Sequence, residues 1–208
     1  MKFSVFLILT AILIIVNPFL YAQTSASLKE NNLYINTSLG YGTENNWGNT
    51  GFFVGATLSK PIIKHLFLDA GLTVFTTQIV NAYTYEHGFR NDQQKYNALF
   101  LTPAINYTFG NKQSFMNASI KVGASLKYYN YKILKTFLEY VYPDGRTEPV
   151  PGTLYYITRK RFEIPFYSSV SFDTKVTKKL RVGVFLDTYS YEIPIEFFLP
   201  GINVVFKL

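Results

Sequence analysis

From Met116 to Tyr128 the chain changes character at every residue. The even positions Met116, Ala118, Ile120, Val122, Ala124, Leu126 and Tyr128 are all apolar or aromatic. The odd positions Asn117, Ser119, Lys121, Gly123, Ser125 and Lys127 hold no large apolar residue. Successive side chains of a strand point to opposite faces, whereas a helix repeats every ~3.6 residues and would scatter both classes around its circumference. A period of two held this long is a strand with one oily and one polar face.

The same alternation recurs in Leu33–Tyr41, Phe52–Ser59, Leu66–Phe75, Leu99–Phe109, Arg161–Phe172, Leu180–Asp187 and Ile202–Leu208. That predicts eight strands, and no convincing helical period stands beside them. The connections Lys60–His65, Gly110–Ser114 and Thr174–Lys179 are tight and carry Lys; Gly42–Asn49, Ile79–Lys95 and Asn130–Lys160 are longer; the link near Glu192–Pro194 is short. Short turns at one end and longer loops at the other are the plan of an up-and-down transmembrane β-barrel. An even strand count puts both termini at the short-turn end, which would face the periplasm.

The first segment stands outside this pattern. Residues 1–22 read as one Lys, an apolar run from Phe3 to Val16, the breaker pair Asn17-Pro18 and a tail ending in Ala22. That is the order of a cleaved secretory signal peptide. The run is shorter than the ~20 residues a spanning helix needs. Cleavage after Ala22 leaves residues 23–208 as one barrel domain. With no cysteine, lipidation at the cleavage site, disulfides and thiolate metal sites are all excluded.

Which face meets water decides between two barrels. A soluble lipocalin-like ligand binder also has eight strands and a signal peptide, but turns its oily face inward. Its outer face would carry many charges, and charged residues here are only 16% of the chain. The polar face is mostly Gly, Ser, Thr and Asn. It suits the narrow interior of an eight-stranded barrel, crossed by paired charges. The interior charges are Asp69, Glu163, Asp173 and Asp187 against Lys121, Lys127, Arg161, Arg181 and Lys207. Tyr41, Phe75, Tyr107, Phe109, Phe115, Tyr128, Tyr129, Phe172, Tyr189 and Tyr191 lie near strand ends, as interface girdles do. The only Trp, Trp47, falls in a turn rather than on the first strand where a lipocalin carries it.

The last strand, Gly201-Ile-Asn-Val-Val-Phe-Lys-Leu208, resembles the terminal signal read by the outer-membrane assembly machinery, with Leu where Phe is typical. End to end, residues 23–208 resemble the small eight-stranded outer-membrane barrels of the OmpA-transmembrane and OmpX-like type. The phrases LSKPIIKHLFLDAGLTV and FDTKVTKKLRVGVFLDT resemble Bacteroidetes outer-membrane barrel domains, including the PorT-like group. The resemblance implies a porin-like place in a Gram-negative outer membrane, with outer-membrane lipids as surroundings. It implies no activity.

Three functions compete. An open pore is disfavoured, because so narrow a barrel is filled by side chains. An enzyme, such as one resembling the lipid A deacylases, needs a base beside a nucleophile. His65 lies in a short turn and reads as a solvated turn residue. His87 lies in an outer loop with Glu86 and Asp92 nearby, but no Ser stands two residues on. The sequence offers no catalytic, cofactor-binding or metal set, and the chain is expected to be non-enzymatic. A binding or scaffold role is favoured, with a protein partner at the loop 130–160. There Tyr142-Pro-Asp-Gly145 marks a turn between two Tyr-rich runs and predicts a protruding hairpin. The formal charge of +7 comes largely from Lys60, Lys64, Lys112, Lys175, Lys178 and Lys179 in short turns, where they would face anionic headgroups. Export and the lack of a basic stripe exclude nucleic acid.

Overall fold

A computed structural model describes residues 33–45, 49–78, 95–110, 114–136, 139–150, 155–191 and 195–208. The expected signal peptide, residues 1–22, and His87 lie outside them. No helix occurs among the described residues. The strands are β1 (Tyr34–Glu44), β2 (Asn49–Ile63), β3 (Leu66–Gln78), β4 (Lys95–Phe109), β5 (Met116–Ala124) and β6 (Leu126–Thr136). They continue with β7 (Glu139–Val141), β8 (Thr147–Pro149), β9 (Tyr155–Glu163), β10 (Phe166–Lys175), β11 (Leu180–Ser190) and β12 (Phe197–Lys207).

Every barrel pairing is antiparallel. β1 closes on β12 from Tyr34↔Lys207 to Glu44↔Phe197, so the sheet has no seam left open there. β5 and β6 form one stave, and β9 and β10 another. β4 pairs with β5 at Ala104↔Gly123 and with β6 at Leu101↔Leu126, in the same register. β5–β10 and β6–β9 likewise share one register, from Phe166↔Ala124 to Lys127↔Glu163. The eight staves are therefore β1, β2, β3, β4, β5/β6, β9/β10, β11 and β12, as the alternation predicts. That register carries Pro103 and Pro165 to either side of Ala124-Ser125. Proline has no N–H to give a ladder, which accounts for the break. The Ser125 N–H still reaches Pro165 O at 2.9 Å.

The alternation translates directly into two surfaces. On β2, Phe52 and Val54 are 64% and 56% exposed, and Phe53 between them is 2% exposed. The same contrast runs round the barrel: Leu72, Leu101, Ile105, Phe172, Val184 and Ile202 are exposed, while Asp69, Lys121 and Asn203 are buried.

Several expectations need correction. Phe75, Tyr129 and Tyr189 are buried inside the barrel and belong to no outer girdle. Their place near strand ends is right, but their parity is that of the inner face. Tyr41, Tyr107, Phe109, Phe115, Phe172 and Tyr191 do stand outward. Strands also run further than the alternation shows. The Gly42–Asn49 link shrinks because β1 and β2 pair as far as Glu44↔Asn49.

Candidate functional site

The interior is stratified along the barrel axis. Its long-loop half is aromatic. The Phe197 ring lies 5.1 Å from that of Phe100 and 5.5 Å from that of Phe75, both edge-on, and Phe100 lies 4.2 Å from Tyr189. Edge-to-face packing sets the positive rim of one ring on the negative face of another. Lys127 enters this layer with no exposed surface. Its Nζ meets Glu163 and Glu196 at 2.6 Å each and lies 4.6 Å from the Tyr129 ring centre. The Tyr129 hydroxyl donates to Glu163 Oε1 at 2.7 Å. A buried cation is tolerated because two carboxylates and a ring face it.

The middle is polar. Lys121 pairs with Asp69 at 3.0 Å, and Asn106 Nδ2 donates to the same carboxylate oxygen at 3.2 Å. The Tyr167 hydroxyl donates to Asp187 Oδ1 at 3.0 Å. The short-turn half opens into a vestibule of about 170 Å³. Arg181 is paired with Asp173 there and also donates from Nη1 to Ser114 O at 3.2 Å.

Most of the charges expected inside are inside: Asp69, Glu163, Asp173, Asp187, Lys121, Lys127 and Arg181. Arg161 is instead exposed on β9, opposite Tyr129 of β6, and Lys207 lines the vestibule. Glu44 and Glu196, 1% and 8% exposed, were missed. Both sit where a strand meets a connection, so no run of alternation flagged their parity. His65 is no free turn residue: its Nδ1 lies 3.1 Å from Thr108 O, and its ring lines the vestibule. Lys64, Lys175, Lys178 and Lys179 also line that cavity rather than only the outer rim; Lys112 is outside the described residues. No group of three or more His, Asp or Glu among the described residues could hold a metal ion.

At the long-loop end β6 and β9 keep pairing as far as Thr136↔Tyr155, beyond the last β4–β6 pair at Lys95↔Lys132. β7 and β8 form the tip, closed by Tyr142–Arg146, where Arg146 Nε meets Asp144 Oδ2 at 2.6 Å. β9 ends the sheet order, with β6 as its neighbour among the described residues.

A closed barrel of eight antiparallel strands, apolar outside and aromatic-to-polar inside, is the fold of small outer-membrane barrels. The chain is similar to the N-terminal β-barrel domain of Pseudomonas aeruginosa OprF, at 10% identity and a TM-score of 0.54, covering 86% of this chain and 98% of that one. It is similar to Neisserial surface protein A, at 9% identity and a TM-score of 0.55, covering 85% and 96%. It is similar to a major outer membrane protein of Thermus thermophilus, at 8% identity and a TM-score of 0.54, covering 85% and 99%. No family model and no curated protein matches the sequence. At such identities the likeness is one of fold.

Proposed function

We propose that this chain is a non-enzymatic integral outer-membrane barrel whose lumen is closed by its own side chains and whose β6–β9 hairpin is a surface docking element. The observation that carries this reading is the outward belt of large apolar side chains on a closed barrel. A belt of that extent exceeds what a soluble surface keeps in water. Hydrocarbon suits it, because barrel closure leaves no strand edge unpaired within the bilayer. A lipocalin-like binder would need the opposite orientation. The test is solubility and folding: the mature chain should need detergent or lipid to stay dispersed and should migrate differently on gels with and without boiling. A chain that is soluble without amphiphile and binds an apolar small molecule overturns the reading.

The ring stack and the Lys127 cluster support a closed lumen. The extended hairpin supports docking, since a strand that ends a sheet offers main-chain groups for another strand to pair with. Deleting Tyr140–Tyr155 should leave heat-modifiable folding intact and abolish capture of a surface partner; failed folding would make the hairpin structural. The C-terminal strand, which pairs with β1, would meet the assembly machinery before closure. Against the enzyme reading, His87→Ala should leave the lipid A mass profile unchanged.

A further inference from the structure

We propose that the short-turn mouth of the barrel binds a phosphate-type oxyanion carried on a small ester. This stands on the vestibule and is independent of the hairpin. The cavity of about 170 Å³ is ample for a small phosphate ester, since one water needs only ~10–15 Å³ of such space. Seven Lys and Arg side chains line it against one carboxylate, Asp173. Two of the seven are neutralised: Arg181 by Asp173, and Lys121 by Asp69 just below. Lys64, Lys175, Lys178, Lys179 and Lys207 form no salt bridge among the described residues.

Lys175 ends β10, Lys178 and Lys179 follow it in the connection to β11, and Lys207 lies beside them on β12, its N–H 2.8 Å from Lys179 O; Lys64 comes from the β2–β3 turn on another part of the rim. Like charges around a low-dielectric concavity repel each other and concentrate anions. Lys60, by contrast, is exposed on the outer face of β2 and takes no part in the lining.

The walls below the lysines add neutral donors. The Ser119 and Ser171 hydroxyls can donate to an oxyanion. Two sources carry that chemistry, a phospholipid headgroup and a soluble phosphate ester.

The full mature chain, folded in a neutral detergent, is titrated calorimetrically with inorganic phosphate and with glycerol phosphate. Saturable binding of both is expected. Lys178→Gln/Lys179→Gln should weaken both by about tenfold, through lost charge-assisted contacts. Lys175→Gln is the second variant should the pair misfold, and heat-modifiable migration verifies the fold of each. Lys60→Gln should change nothing. Reconstitution in phosphatidylcholine vesicles with and without phosphatidylglycerol separates the sources. Loss of ester binding only with phosphatidylglycerol identifies the headgroup, and persistence identifies the soluble ester. Absence of saturable binding, or equal weakening by Lys60→Gln, overturns the proposal.

Discussion

Lys127 holds together the long-loop half of the interior, and its loss has a definite sign. It has no exposed surface and bridges two carboxylates, Glu163 and Glu196, at 2.6 Å each. Lys127→Met would leave both acids facing each other without a cation. Breaking a buried pair this way costs about 3–5 kcal/mol. Urea unfolding in lipid vesicles should register that loss, and adding Glu163→Gln and Glu196→Gln should recover most of it. The closing seam is similarly exacting. Gly40 lies opposite Gly201 across β1 and β12, and the rings of Phe53 and Phe185 cover the pair, 5.8 Å apart and edge-on. A Cβ on Gly40 would fall 2.5 Å from Phe53 Cζ, and one on Gly201 would fall 2.6 Å from Leu39 O. Gly201→Ala meets fixed backbone as well as a ring, so it should cost about 1–3 kcal/mol by overpacking in the same assay.

At the scale of elements, parity carried most of the information. Asp69, Lys121, Lys127, Asp173 and Arg181 all lie on the inner face that the alternation assigned them. The alternation failed where it had no run to work on. Residues 155–160 are Tyr-Tyr-Ile-Thr-Arg-Lys, with no regular change of polarity, so the upper part of β9 was legible from the Tyr142–Gly145 turn signal as one arm of a hairpin and not from alternation. Turn lysines have no parity at all, so the vestibule was invisible and their charge was assigned to the lipid surface. Phe75 and Tyr189 were misplaced for another reason: nearness to a strand end gives depth, not side. The break between β5 and β6 could be read, since Pro103 and Pro165 are plain in the sequence, but only the register brings them to opposite flanks of the adjacent pair Ala124-Ser125. Ser125 is the residue that spans this break. It is fully buried, its Oγ lies 2.8 Å from Thr102 Oγ1, and it also donates to Leu101 O at 3.3 Å. Ser125→Ala removes its hydrogen bonds to Thr102 and Leu101 and should lower stability by about 0.5–1.5 kcal/mol. A change below that range would mean the backbone bond to Pro165 suffices.

For the whole molecule, the stratified interior sets the direction of access. The basic vestibule opens onto the polar half, and the rings of Phe75, Phe100, Tyr189 and Phe197 stand between that half and the long-loop end. On the proposed reading the rings and the charged cluster close the lumen of so narrow a barrel. In a planar bilayer the protein should therefore show no steady unitary current. Phe100 and Phe197 sit at the centre of the ring contacts and are both fully buried. Replacing both with Ala removes two large side chains from one layer, where aromatic truncation costs about 3–5 kcal/mol each. The Lys127–Glu163–Glu196 cluster and the closed ladder should still hold the barrel. Heat-modifiable migration should survive at room temperature, while small-ion steps appear that the parent lacks. Current through the unaltered protein would place the barrier elsewhere, and a folded double variant that stays silent would assign closure to the charged cluster instead of the rings.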